Sequence, residues 1–143
     1  MRRNVHLYSD GTSIVAQRTY SRPAQMSLAS SRPAIVSIDM ADHELGAWIR
    51  EVLAMDVKDE PADDGGDGAL RQLLRAARAK SWRDFARRYK NAVVYDDEEG
   101  VHVVESDRSR GGAYMYRRGG LVLVDPSDES LGAAARAALA NSA

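Results

Sequence analysis

The chain contains one phrase twice: "ADHELGAWIREVLA" at residues 41–54 and "SDESLGAAARAALA" at residues 127–140. When residues 36–54 are aligned with residues 122–140, an offset of 86, nine of nineteen positions are identical without a gap. Each copy has the pattern of a strand, a short acidic turn and a helix with apolar residues at helical spacing. The repeat therefore predicts two similar strand–turn–helix units.

Two repeated residue pairs have a physical reason to recur. Asp42 and Asp128 fall at helix starts, where a carboxylate satisfies unpaired N–H groups and faces the positive end of the helix dipole. Gly46 and Gly132 fall inside the helices, where an exposed glycine costs about 1 kcal/mol relative to alanine. Their presence in both copies predicts a close approach of each helix to the sheet. The repeat therefore primarily serves packing and does not by itself indicate a function.

The rest of the chain alternates strand-like runs with turns. Strand pairs are predicted across "SDGT" (9–12), "DDEEG" (96–100) and "GG" (119–120). Residues 21–34 read as a loop, and helices are predicted over 69–80 and 82–90, the second capped by Ser81. The order βββ-α-αα-ββββ-α predicts an α+β fold, a largely antiparallel sheet packed with helices, in one domain spanning residues 1–143.

Composition restricts the class of protein. The chain has 143 residues, 44% hydrophobic and 29% charged, which is typical of one soluble globular domain. It has no cysteine, which excludes a disulfide framework and a thiolate metal site. The first residues lack a signal-peptide pattern, and no window approaches 18 apolar residues. We therefore expect a cytoplasmic protein with no membrane partner.

The formal net charge is only −1, but the charges are sorted into blocks. Residues 56–67 carry six acids and one base, residues 68–90 carry eight bases and one acid, and residues 96–99 are four consecutive acids. The first block lies in an acidic, glycine-rich stretch at about 56–68 that is predicted to be a loop. Such blocks steer charged partners, although solvated loops and faces have the same composition.

No motif indicates a catalytic, metal or cofactor site. The histidines at 6, 43 and 102 are scattered and form no H-E-x-x-H motif, and no G-x-S-x-G occurs. The "GGDG" stretch lacks the lysine of a phosphate-binding loop and reads as a linker.

Paired carboxylates keep one enzymatic alternative open. Asp39 with Asp42, and Asp125 with Asp128, have the chemistry to bind a metal or to act as acid and base. This alternative is a small metal-dependent enzyme. The helix-start position explains one member of each pair without any such role.

The basic segment keeps a second alternative open, a nucleic-acid-binding module that uses the helices at 70–90. Arg71, Arg75 and Arg78 follow helical spacing, and more arginines continue the charge to Lys90. The aromatic residues of this segment fall on its apolar stripe, where they pack rather than stack on bases. Because the whole chain is slightly acidic, we expect nucleic acid to be an unlikely partner.

Four motifs, in order, resemble the immunity proteins of contact-dependent growth inhibition systems. They are "ADHELG" at 41–46, "KSWRDF" at 80–85, "RGGAY" at 110–114 and "SDESLG" at 127–132. The resemblance covers nearly the whole chain. It departs at Ala41, in place of a small polar cap, and at Ser130, where an acid would complete a capping box.

The resemblance implies a non-enzymatic inhibitor that binds the toxic C-terminal domain of a delivered surface protein in the cytoplasm, with no cofactor. Such toxins are frequently nucleases, which have a basic substrate cleft. An acidic surface is suited to block such a cleft and to accelerate the encounter. The charge blocks therefore predict the toxin-facing residues, namely Asp59, Glu60, Asp63, Asp64, Asp96, Asp97, Glu98 and Glu99. The toxin's identity and the oligomeric state stay open.

Overall fold

The computed structural model describes residues 2–21, 28–29, 33–54 and 67–143. All strand pairs in this part of the chain are antiparallel, and the α+β prediction is confirmed. The elements are β1 (Arg2–Ser9), β2 (Ser13–Ser21), β3 (Leu28–Ala29), β4 (Ala34–Ser37), α1 (Asp42–Ala54), α2 (Asp67–Ala76), α3 (Trp82–Arg88), β5 (Lys90–Asp97), β6 (Gly100–Arg108), β7 (Tyr114–Tyr116), β8 (Leu121–Leu123) and α4 (Asp128–Asn141).

The sheet is built from two hairpins joined at its centre. The hairpins β1–β2 and β5–β6 form as predicted, and β1 pairs with β5. The strand order is β3-β2-β1-β5-β6-β7, with β4 also on β2 and β8 also on β6. Gly11 has φ +94° in the first turn, the conformation that the Asp-Gly pair predicts.

The predicted strand pair across residues 119–120 is wrong. Strands β7 and β8 both pair with β6 and not with each other. From Ser106 to Val103, strand β6 advances three residues, whereas the segment that pairs with it, from Tyr116 to Leu121, advances five. Gly119, with φ +75°, lies in the extra residues. The "GG" is therefore a bulge along an edge strand rather than a hairpin turn.

Several predicted boundaries also shift. The two residues of β3 lie inside the stretch 21–34 that was predicted to be a loop. The helix predicted over 69–80 runs from 67 to 76, so it takes in the last two residues of the predicted acidic loop. It ends before Arg78, whose φ of +54° is incompatible with a continuing helix. The helix predicted over 82–90 ends at Arg88, and its Ser81 cap is confirmed because Ser81 Oγ accepts the N–H of Asp84.

The helices cover both faces of the sheet. One apolar cluster joins β-strand residues such as Leu7 and Ile14 to the buried faces of α1 and α4. The neighbouring residues Tyr8 and Val15 point to the opposite face, where they pack against α2 and α3. This arrangement places the repeated helices together on one face of the sheet and the basic helices on the other.

The repeated glycines lie between the two repeated helices, not against the sheet as predicted. A Cβ built on Gly46 would lie 1.7 Å from the carbonyl oxygen of Asp128, and one on Gly132 would lie 1.8 Å from that of Asp42. Because glycine has no Cβ, each glycine leaves room for the first turn of the other helix to pack directly against it. The prediction of close approach is right, but its partner is a helix because α1 and α4 cross at their N-terminal halves.

The repeated aspartates and arginines complete this contact. Arg50 Nε donates to Asp128 Oδ1 at 2.7 Å, and Arg136 Nε donates to Asp42 Oδ1 at 2.9 Å. Each guanidinium also donates to backbone carbonyls just before the partner helix, at Pro126 for Arg50 and at Ile38 and Met40 for Arg136. We call these six residues the helix clasp: Asp42, Gly46, Arg50, Asp128, Gly132 and Arg136.

The two central motifs contact each other as well. Trp82 Nε1 donates to the carbonyl oxygen of Gly112 at 3.0 Å, and the Trp82 and Tyr114 rings meet edge to face. Tyr114 also donates its hydroxyl proton to the carbonyl oxygen of Tyr89 at 2.8 Å. The four motifs therefore form two structural contacts, one on each face of the sheet.

Candidate functional site

The acidic residues 96–99 form the tip of the β5–β6 hairpin. The last strand pair is Asp97↔Gly100, so Glu98 and Glu99 make the turn. All four acids, Asp96 included, are exposed. The fold thus presents four adjacent carboxylates at one end of the sheet, as a surface for a positively charged partner. The other four predicted toxin-facing residues, Asp59, Glu60, Asp63 and Asp64, lie outside the described residues.

One histidine supports the tip from inside the sheet. His102 is buried, stacks on Tyr95 with 4.4 Å between ring centroids, and places Nε2 2.8 Å from Asp97 Oδ1. This hydrogen bond lowers the pKa of the Asp97 carboxyl, and the Glu99 N–H donates to the same oxygen at 2.9 Å. These bonds give the turn a defined shape and favour the charged form of Asp97.

Ligand-type atoms of Asp97, Glu99 and His102 lie within 4.8 Å of one another. Sequence reasoning missed this grouping because it treated the histidines separately. The signal was available in the predicted hairpin, because His102 lies near the start of the strand that follows the acidic turn; the structure pairs it with Tyr95.

An apolar strand lies beside the acidic tip. Strand β8 pairs Leu123 with Val101, immediately after the turn, and it continues into Val124. Leu121 is 52% exposed, Val122 40% and Val124 77%. Adjacent exposed apolar residues of this kind mark interaction surfaces. We call residues 96–99 together with residues 121–124 the tip surface.

The sequence analysis did not select these apolar residues. It read "LVLVD" as an ordinary strand, and a continuous apolar run is typical of a strand buried on both faces. The available signal was the neighbouring "GG", since a bulge at the sheet edge leaves such a run in solvent.

The structure assigns the repeated aspartates to the helix clasp. Asp42 and Asp128 each accept a hydrogen bond from an arginine of the other helix. Asp39 and Asp125 are exposed in the turns that precede the helices. One member of each predicted carboxylate pair is therefore engaged in an interhelical ion pair, which supports the packing interpretation over the metal-dependent enzyme.

The basic helices divide into an aromatic inner side and an arginine outer side. Phe85 and Tyr89 are buried and stack on each other with 4.7 Å between ring centroids, so these rings serve the core as predicted. The arginines of α2 and α3 are exposed, namely Arg71, Arg75, Arg83, Arg87 and Arg88.

The fold is similar to that of two solved structures. One is a protein of unknown function from Neisseria meningitidis, with a TM-score of 0.77 and 16% identity over 100% of this chain and 96% of that one. The other is a chain of a CdiA-CT/CdiI toxin and immunity complex from Yersinia pseudotuberculosis, with a TM-score of 0.69 and 12% identity over 100% and 98%. At these identities the likeness concerns the fold.

No protein-family model matches the chain, and no curated protein matches its sequence. Among the described residues, no helix is long and apolar enough to cross a membrane.

Proposed function

We propose that this protein is an immunity protein that binds and neutralises the toxin domain of a contact-dependent growth inhibition system. The observation that carries the proposal is the match, end to end, to a chain of a toxin and immunity complex. Independently of this match, the sequence motifs resemble the same family. These motifs contain residues of the helix clasp and of the Trp82–Gly112 contact, which hold this fold together.

The proposed mechanism is binding without catalysis, in the cytoplasm of the cell that makes the protein. The tip surface combines exposed apolar residues with four carboxylates at its edge. Protein interfaces have this anatomy, an apolar centre that excludes water and a charged rim that orients the partner. A nuclease toxin, whose substrate cleft is basic, would match the charge of this rim. We propose that the acids at 59, 60, 63 and 64, which lie outside the described residues, add to the negative charge that attracts this partner.

The first experiment is a calorimetric titration with the C-terminal toxin domain that is encoded immediately upstream. We expect one-to-one binding that abolishes the toxicity of that domain. Absence of binding, with both proteins folded, would contradict the proposed function.

A second experiment locates the interface. The variant Asp96→Lys/Glu98→Lys reverses two exposed charges but keeps Asp97, which holds the turn through Glu99 N–H. We expect toxin binding to weaken about tenfold or more at low salt, mainly through slower association. The matched control Asp39→Lys/Glu44→Lys makes the same charge change at exposed positions around the start of α1, which follows the Ser37 end of β4, paired with Ser13 at the opposite end of the sheet. Equal losses in both variants would exclude the tip surface as the toxin site.

A further inference from the structure

A basic cleft lies between α3 and the loop that follows β6. Its volume is about 460 Å³, and four of its lining residues are arginines. Arg83 and Arg87 are four residues apart on α3 and so share one face of the helix, while Arg108 and Arg110 come from the opposite wall. The remaining lining residues are Ala86, Ser109, Gly111 and Gly112, so no carboxylate faces the cleft from the described part of the chain.

Both walls of the cleft are tied together. Arg108 Nη1 donates to the carbonyl oxygens of Ala86 and Arg87, each at 2.8 Å, and so caps the last turn of α3. Trp82 Nε1 binds the carbonyl oxygen of Gly112 from the other side. The arginines are therefore brought together by the fold itself rather than by chance proximity of mobile side chains.

The charges in the cleft are mostly uncompensated. Asp84 accepts from Arg87 at 3.1 Å, and it also accepts from Arg88. Arg83 and Arg110 are exposed and make no ion pair within the described residues. Guanidinium groups held around one cavity repel each other, and an anion bound between them relieves that repulsion. The planar guanidinium fork binds phosphate and carboxylate oxygens in a bidentate manner, and phosphates recur at a regular spacing along a nucleic acid strand.

The basic surface extends beyond a single pocket. A second cavity of about 390 Å³ shares Arg87 and Arg108 with the cleft and adds Arg88 and Lys90. One carboxylate, Asp10, also lines it and keeps its charge while it accepts the N–H groups of Thr12 and Ser13, but the cationic side chains of the cavity outnumber it. Two adjoining cavities fit an extended polyanion better than one small anion.

We infer that this basic cleft binds the phosphodiester backbone of a nucleic acid strand without reading its sequence. The net charge of the whole chain, from which nucleic acid was expected to be an unlikely partner, does not describe the local charge of the cleft. Stacking on bases needs a free aromatic face, whereas Trp82 stacks on Phe85 and donates to the carbonyl oxygen of Gly112, so the cleft offers charge for phosphates rather than a ring for bases. Lys90 and the acidic turn lie at opposite ends of β5, about 23 Å apart at the rise of a strand. Nucleic acid and toxin would therefore occupy different ends of the molecule.

The test measures binding of a fluorescein-labelled single-stranded DNA of about 20 nucleotides to the full chain alone by anisotropy. At 0.1 M salt each lost phosphate contact lowers single-strand affinity about fivefold. The variant Arg83→Gln/Arg110→Gln removes two such contacts, so we expect about 25-fold weaker binding and a salt slope shallower by about 1.4. Two unrelated DNA sequences should bind about equally well, because no base is read.

The matched control is Arg71→Gln/Arg75→Gln, which removes two exposed charges from α2 outside the cleft. We expect it to weaken binding less than about threefold, since only distant electrostatic attraction is lost. Thermal unfolding of both variants verifies that they fold. Equal losses in the two variants would overturn the inference, and so would no binding by the wild-type chain. Competition by a mononucleotide at the affinity of the oligonucleotide would also overturn it, in favour of a single-anion site.

Discussion

The two halves of the molecule share a framework and differ at their surfaces. Each element of the second half lies about 86 residues after its counterpart, so β7, β8 and α4 correspond to β3, β4 and α1. The counterparts β1 and β5 pair with each other at the centre of the sheet. The clasp residues are the same in both halves. Each hairpin turn has an aspartate that accepts a backbone N–H from two residues later, Asp10 from Thr12 and Asp97 from Glu99, but the first turn carries one acid and the second carries four consecutive exposed acids.

This difference separates residues that hold the fold from residues that are free to bind. The six clasp residues, which are present in both halves, serve a contact that the symmetry of the two helices duplicates. The tip surface and the basic cleft have no counterpart in the first hairpin, and the cleft depends on α3, which lies between the halves. We therefore expect changes at the clasp positions to affect stability, and changes at the acids of the tip surface or the arginines of the cleft to affect binding.

The largest effect on the free energy of unfolding should come from adding a methyl group at the glycines of the helix clasp. Gly46→Ala and Gly132→Ala each place a methyl group within 2 Å of a backbone carbonyl oxygen of the other helix. The helices must separate, so we expect each variant to lose about 4 kcal/mol of unfolding free energy, by equal amounts. Denaturant unfolding measures this loss.

The control for the clasp variants is Gly111→Ala. Its new Cβ would meet only Ser109 Oγ, at 3.8 Å, so stability should change by less than about 0.5 kcal/mol. A mild effect at Gly46 with a severe one at Gly132, or the reverse, would show that the two halves do not share the contact equally.

A smaller effect concerns the pH dependence of stability, to which a histidine in the first half contributes and its counterpart in the second half does not. Burial lowers the pKa of His6 to about 4, whereas the residue 86 positions later is Ala92. Because the unfolded chain takes up this proton at a higher pH than the folded protein, the unfolding free energy falls as pH drops below about 6.5. We expect a loss of roughly 2 kcal/mol between pH 6.5 and 4.5, and His6→Gln should remove most of that slope. Parallel pH profiles for the two proteins would assign the acid sensitivity to other groups.

The smallest effect concerns the helix starts. Ser127 Oγ accepts the N–H of Ser130 at 3.1 Å, while the equivalent position before α1 is Ala41. Ser127→Ala should therefore cost about 1 kcal/mol, and Ala41→Ser should add about 0.5 kcal/mol. Thermal unfolding of the two variants and of the double variant measures both changes. A stabilising Ser127→Ala would mean that this cap is strained rather than favourable.

Local rules accounted for much of the fold. The Asp-Gly turn, the Ser81 cap and the amphipathic helices each depend on residues within one or two turns of each other, so the sequence predicted them. The pairing of β7 and β8 with β6 was missed because a bulge and a hairpin turn use the same glycines, and only the partner strand distinguishes them.

The candidate sites also divide into features that the local sequence predicts and features that depend on the tertiary structure. The acidic run at 96–99 was evident as a surface, since four consecutive acids cannot be buried together. Its apolar neighbour β8 was not evident, because exposure depends on which strand lies at the sheet edge. The basic cleft was visible only as a run of arginines on helices, and Arg108 and Arg110 joined it through the tertiary fold.

By itself the sequence determined the fold class, the two repeated units and the signs of the charged surfaces, because spacing and composition are properties of the chain. The tertiary structure decided what the repeated glycines face, which strands form the edge, and which charges meet across the chain. These are contacts between residues far apart in sequence, such as Gly46 with Asp128 and Arg87 with Arg108. Their distances depend on how the elements pack, which no local pattern contains.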